Sequence, residues 1–157
     1  MEPVIGTLSV TLPSLRVEPA GPPHTYQGIA FAMLPGARIL ADASPLPALP
    51  LAMVSAHVLE CTLKAYLSRT GDDRKVRANK CPNVRHNLNA LWTLAHSDGL
   101  NIQSQPPQWV ACLSQLHDSP YFLRYSTGVH GMSTPAPEPM TTELAALVEQ
   151  VQRQLRP

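Results

Sequence analysis

The chain has 157 residues, of which 44% are hydrophobic and 15% charged, so it is long and apolar enough to bury one domain core. Its formal net charge of +1 excludes a strong overall attraction to nucleic acid or to a membrane surface, and any such contact would need a local basic patch. The three cysteines show no CxxC spacing, which argues against a disulfide framework or a zinc ribbon and favours a reducing, cytoplasmic location.

Residues 1–50 are rich in proline and are predicted to form only short elements. Residues 6–12 alternate apolar and polar side chains, which predicts a short, half-buried β-strand. Residues 26–43 have a helical composition, but Pro35 and Gly36 are expected to divide them into two short helices. This segment is predicted to pack on a helical domain formed by the rest of the chain.

Residues 51–71 predict the central helix of that domain, because apolar side chains cover most of its circumference. Its polar positions form one stripe: His57, Glu60, Lys64 and Ser68. Glu60 and Lys64 are spaced i,i+4 in the favourable order, and we expect a surface or half-buried ion pair.

Three further helices and one shorter helical piece follow in residues 72–157. Residues 86–97 carry a buried stripe at helical spacing, and a third helix opens at Pro106 and ends near Pro120. A short helical piece is predicted over 121–125, and a last helix over 141–155 with Thr141 or Thr142 as its cap. The predicted fold is therefore mainly α, a bundle of four to five helices over residues 51–157 with a short N-terminal β segment.

Sequence motifs for common catalytic chemistries are missing from the chain. It contains no glycine-rich phosphate loop, no GxSxG turn and no HExxH metal helix. Its histidines and cysteines show no recognised ligand spacing, so no metal and no cofactor are predicted. The cysteines lie in apolar contexts typical of small buried side chains, and His86 is expected to hydrogen-bond the start of the second helix.

Arg124 and His130 form the one pair that suggests a specific reaction. A histidine can accept or give a proton near neutral pH, and an arginine can hold a phosphate bidentately. These roles suit metal-independent cleavage of RNA, with a homodimer supplying both an acid and a base. The alternative is structural: Arg124 caps the end of a helix and His130 is exposed in a glycine-rich loop.

A cluster of basic residues lies between the first two helices of the bundle and is the candidate RNA contact. The candidate RNA-binding residues are Arg74, Lys75, Arg77, Lys80 and Arg85, together with Tyr125 beside the Arg124 site. The alternative is a solvated, charged linker.

The order of these features resembles the HEPN superfamily of small helical bundles. AHVLECTLKAYL (56–67) resembles the A-x-x-L-E-x-x-L-K-A helix of that superfamily, and RHNLNAL (85–91) resembles its H-D/N-L-x-x-L helix start. LRYST and the following His (123–130) stand where many members carry an R-x(4–6)-H ribonuclease motif. The resemblance covers residues 51–155 and leaves the first fifty residues unexplained.

The resemblance implies a dimeric helical bundle that acts on or binds RNA. Active members are metal-independent endoribonucleases of toxin or defence systems, and the catalytic pair then carries over to Arg124 and His130. Two features depart from active members: Tyr125 replaces a small polar residue, and Gly131 follows the histidine in place of a helix. The implied partners are a second copy of the chain, RNA and an antitoxin protein, with no membrane. The alternative function is a non-catalytic protein- or nucleotide-binding module.

Overall fold

The structure is a computed structural model that describes residues 20–76, 84–118, 121–124 and 131–156. These ranges contain five α-helices and no strand, which confirms a mainly α fold. The helices are α1 (His24–Ala41), α2 (Ala48–Leu67), α3 (Leu88–Ser97), α4 (Gln108–His117) and α5 (Pro137–Leu155). The strand predicted over residues 6–12 lies outside the described residues.

Helix α2 is the centre of the bundle, as its sequence predicts. It packs against each of the other four helices, while α1 also contacts α5 and α3 also contacts α4. Leu51, Leu59 and Leu63 of α2 are at most 2% exposed. Because other helices pack around α2, Glu60, Lys64 and Ser68 of its polar stripe are buried, whereas His57 is partly exposed. No helix in the described ranges has both the length and the apolarity needed to cross a membrane.

Helix α1 corrects the prediction of two short helices, since it runs without a break from His24 to Ala41 and contains Pro35. Its inner face, formed by Ala30, Leu34 and Ala37, is buried. Packing of this face against α2 and α5 outweighs the loss of one helical hydrogen bond at the exposed Pro35.

Replacing Pro35 by alanine is expected to raise the free energy of unfolding by about 1–3 kcal/mol, since alanine restores a helical N–H and removes the ring's clash with the preceding turn. Gly28→Ala in the same helix is the matched control, because a Cβ there meets no atom within 4 Å and should add only about 0.5–1 kcal/mol. Urea unfolding of both variants measures the two gains. A Pro35→Ala variant less stable than the wild type would contradict this account of α1.

Three helix ends also differ from prediction. α5 begins at Pro137, because proline is tolerated in a first helical turn. Thr141 is therefore inside the helix, where its hydroxyl donates to the Pro137 carbonyl at 2.9 Å, and neither Thr141 nor Thr142 is the cap. α2 likewise begins before residue 51, at Ala48. The start of α3 is capped by Asn87, whose side chain accepts from the Ala90 N–H at 2.9 Å, and not by His86.

Candidate functional site

The polar stripe of α2 places a charged pair in the interior of the bundle. Glu60 is 5% exposed and Lys64 is 7% exposed. The predicted surface or half-buried ion pair is in fact buried, because the other helices pack around this part of α2. Buried charges of this kind need partners, and both residues have them.

Glu60 is the hub of a cluster that joins three parts of the chain. Lys64 Nζ donates to Glu60 Oε1 at 2.6 Å. His117 Nε2 lies 2.6 Å from Glu60 Oε2, and His86 Nδ1 lies 3.1 Å from the same oxygen. Burial raises the pKa of Glu60, but hydrogen bonds from His117 and Lys64 and the charge of Lys64 outweigh it, so that the pKa is held well below its usual range. The carboxylate is therefore charged at neutral pH.

His117 ends α4 and is held in one orientation by Glu60. Its Nε2 must donate to the carboxylate, so the neutral ring presents Nδ1 as a lone-pair acceptor. The residue is 3% exposed, and Nδ1 is buried with no hydrogen-bond partner among the described residues. Ser55 Oγ and Asn89 Oδ1 are buried without a partner in the described part of the chain as well, but of these three atoms only the His117 nitrogen belongs to a residue that borders the cavity described next.

A cavity of about 260 Å³ lies beside His117. It combines a polar edge with an apolar wall. The lining residues are Met33, Met53, Val54, His57, His117 and Arg124. The predicted catalytic residue Arg124 thus borders the same space as two imidazoles.

A turn over residues 121–124 positions Arg124. The predicted helical piece over 121–125 is wrong for this described part. The Arg124 N–H donates to the Tyr121 carbonyl at 2.8 Å, and the Leu123 N–H donates to the Leu116 carbonyl at 3.1 Å. The second bond ties the turn to the end of α4, so Arg124 and His117 are held at one end of the same helix. The guanidinium of Arg124 also lies 5.8 Å from the centre of the Tyr121 ring.

His57 is the second imidazole of the cavity. Burial lowers the pKa of His57 and the charge of Glu60 raises it, while the charges of Arg124 and Lys64, and that of His117 when its ring is protonated, lower it. Its Nε2 lies 3.8 Å from Cys61 Sγ. Burial and the charge of Glu60 raise the pKa of Cys61 to about 12, so this cysteine stays a thiol at neutral pH and is a poor nucleophile.

Glu60, His86 and His117 also have the chemistry of a metal-ligand set. Their ligand atoms all lie within 4.8 Å of one another. Zinc accepts such nitrogen and oxygen ligands, but a divalent ion here would displace the His117–Glu60 hydrogen bond and lie beside the Lys64 ammonium. Since Lys64 already balances the carboxylate charge, the cluster fits N–H donors better than a cation.

The candidate RNA-binding residues either do not line this cavity or lie outside the described part of the chain. Arg74 pairs with Asp72 at 2.6 Å and Lys75 with Asp98 at 3.2 Å, both at the surface. Arg85 is exposed. Residues not described include Arg77, Lys80, Tyr125 and His130, so the pairing of Arg124 with His130 remains a prediction.

Three larger depressions lack an imidazole among their described lining residues. One, of about 710 Å³, is lined by α1 and α5 and includes Arg38, Glu138 and Glu149. Another, of about 760 Å³, is lined mainly by α3 and the segment before α4. The third, of about 480 Å³, includes Cys112 and Glu143, but burial raises the pKa of that thiol, so acid–base chemistry near neutral pH points to the smaller cavity.

Sequence analysis missed His117 as a functional residue. Its partner Glu60 lies 57 positions earlier in the chain, so no local spacing connects them. One signal was present: an ion pair on a helix that is apolar around nearly all of its circumference indicates a buried pair, and a buried pair requires further polar partners.

Comparison with known proteins gives no family. No protein-family model matches the chain, and neither a curated protein nor a solved structure matches it. The functional argument therefore depends on the geometry of the site.

Proposed function

We propose that this protein acts on RNA as a metal-independent endoribonuclease of the HEPN type, with Arg124 holding the phosphate that reacts. The supporting observation is the position of Arg124, which borders the cavity shared by His57 and His117. A guanidinium beside imidazoles at a partly open cavity offers anion binding and proton transfer together.

RNA is the substrate that needs the fewest groups from the protein. Its 2′-hydroxyl is an internal nucleophile, so the site must supply only a proton acceptor, a proton donor and a positive charge on the phosphate. Arginine and histidine provide these functions near neutral pH. The proposal retains His130 as the histidine that pairs with Arg124 in the sequence.

The HEPN resemblance also leads us to propose the assembly, location and role of the protein. We propose a cytoplasmic homodimer that acts as a toxin or in defence and has an antitoxin as its protein partner. The competing function is a non-catalytic binding module for a nucleotide or a protein. The apolar wall of the cavity, formed by Met33, Met53 and Val54, favours a nucleotide over a protein as its ligand.

The test is incubation of the purified full chain with mixed-sequence single-stranded RNA in EDTA. Arg124→Ala is expected to slow cleavage at least about 100-fold, because it removes the charge that stabilises the transition state. His130→Ala is expected to abolish cleavage as well. Arg153→Ala, which removes an exposed arginine from the last turn of α5, is the matched control and should cut at the wild-type rate.

DNA of the same sequence serves as a second control. It lacks the 2′-hydroxyl and should stay intact, whereas RNA products should end in a 2′,3′-cyclic phosphate. RNA left uncut by the wild type, or cut equally by the wild type and Arg124→Ala, would overturn the proposed nuclease. Binding of RNA or a nucleotide without cleavage would instead support the binding module.

A further inference from the structure

We propose that His117 Nδ1 accepts a hydrogen bond, and then a proton, from a ligand hydroxyl group that lies next to a phosphate. Glu60 is the positioning residue that orients His117. The ligand class is a ribonucleotide. This inference rests on the proposed action on RNA for its substrate class, and it adds a proton acceptor that the R-x(4–6)-H motif does not contain.

The unpaired nitrogen is the first argument. His117 is 3% exposed, and its Nδ1 has no hydrogen-bond partner among the described residues. An acceptor buried without a donor costs free energy, and folds rarely retain one without a use. The ring borders the cavity but Nδ1 itself is covered, so a bound ligand that carries an O–H reaches this nitrogen when a lining side chain shifts.

The held tautomer is the second argument. The 2.6 Å contact of His117 Nε2 with Glu60 Oε2 places the ring proton on Nε2 and leaves Nδ1 free to accept. Lys64 at 2.6 Å keeps Glu60 charged, and His86 contacts the same carboxylate. Three N–H donors thus fix one carboxylate, which in turn fixes the orientation of His117.

The rest of the cavity completes the match. Arg124 is exposed and can bind an anion, and Met33 with Met53 offers an apolar surface for a sugar or base. A cavity of about 260 Å³ is smaller than the usual range of about 300–1,000 Å³ for drug-sized ligands, so it has room for part of a nucleotide, such as its ribose and phosphate. A ribonucleotide carries all three features: a hydroxyl donor on the ribose, an anionic phosphate and the ring of the base.

The corresponding reaction step is balanced. Nδ1 of His117 takes the proton of the 2′-hydroxyl as the 2′-oxygen forms a bond to phosphorus. The bond from phosphorus to the 5′-oxygen breaks, and that oxygen receives a proton from a second acid or from water. The products are a 2′,3′-cyclic phosphate and a 5′-hydroxyl.

The test is long-range ¹⁵N NMR of the histidine side chains in the full chain. His117 is expected to be the Nε2–H tautomer with an unprotonated Nδ1. His96 is the matched internal control, because its Nδ1 lies 2.9 Å from the Ile102 carbonyl and must donate, which gives the opposite tautomer. Adenosine 3′-monophosphate is expected to shift His117 Nδ1, and 2′-deoxyadenosine 3′-monophosphate, which lacks the hydroxyl, is not. Neither probe should shift His96.

Each contrary result has a defined meaning. A His117 ring protonated on Nδ1, no response to adenosine 3′-monophosphate, or an equal response to both nucleotides would overturn the proposal. So would stoichiometric Zn²⁺ that shifts His86 and His117 together, since the cluster would then be a metal centre.

The two proposals can fail separately. If His117 shifts only with the hydroxyl-bearing nucleotide but the protein does not cut RNA, the proposed nuclease is wrong and the acceptor site is supported. If the protein cuts RNA but His117 does not respond to the nucleotide, the acceptor site is wrong and the nuclease is supported. His117→Gln adds a kinetic reading in a folded nuclease: its cleavage rate is expected to fall at least about 100-fold, and a wild-type rate would overturn the acceptor role.

Discussion

Replacing Glu60 by glutamine is expected to lower the free energy of unfolding at pH 7 by about 3–5 kcal/mol, measured by urea denaturation. The amide keeps the shape of the side chain but removes its charge. The ammonium of Lys64, 7% exposed, is then buried without a counter-charge. One of the two oxygens that His86, His117 and Lys64 share also becomes an N–H₂ donor.

A double-mutant cycle separates the charge from the packing. Removing the ammonium as well, in Glu60→Gln with Lys64→Met, should restore much of the lost stability, because no unpaired charge remains buried. Lys75→Met is the matched control. Its ammonium is 62% exposed and pairs with Asp98 at 3.2 Å, so its loss should cost at most about 1 kcal/mol. Equal losses for Glu60→Gln and Lys75→Met would mean that the buried cluster contributes no special stability.

Hydrophobic periodicity was sufficient to predict α2, α3 and α4, because each buries the stripe or surface that its sequence displays. Proline was overestimated as a breaker. Pro35 lies inside α1, and Pro137 begins α5. Local rules give the cost of a proline but not the packing energy that offsets it, and that energy depends on α2 and α5 covering the inner face of α1.

The candidate site was accessible to sequence reasoning only in part. Arg124 was predicted from its motif, and it borders the cavity. The association of Glu60 with His86 and His117 depends on how α2 meets the start of α3 and the end of α4, across 26 and 57 positions of chain. The spacing of residues within one helix does not show which residues of other helices it will contact. Because the chain has no ligand motif, the Glu–His–His cluster could not be predicted from its sequence.

Acid should remove the stabilising effect of Glu60 in a defined pH range. The pKa of Glu60 is raised by burial but lowered further by His117 and Lys64, and lies below its unfolded value of 4.5. Between these two values the unfolded chain binds a proton that the folded chain does not, so folding stability must decrease as pH falls. The contribution is fully present above pH 4.5 and is lost as pH falls through the folded pKa.

Comparison of the wild type with Glu60→Gln isolates this effect, because Asp72 and Asp98, whose pKa values are also lowered by basic neighbours, titrate in both proteins. The stability difference of about 3–5 kcal/mol at neutral pH is expected to shrink steadily below pH 4.5 in urea denaturation. A difference that stays constant down to pH 3 would show that it comes from the mismatched hydrogen bonds of the amide and not from the ionisation of Glu60. A shrinking difference requires a charged carboxylate in the core, which accepts hydrogen bonds from Lys64, His86 and His117.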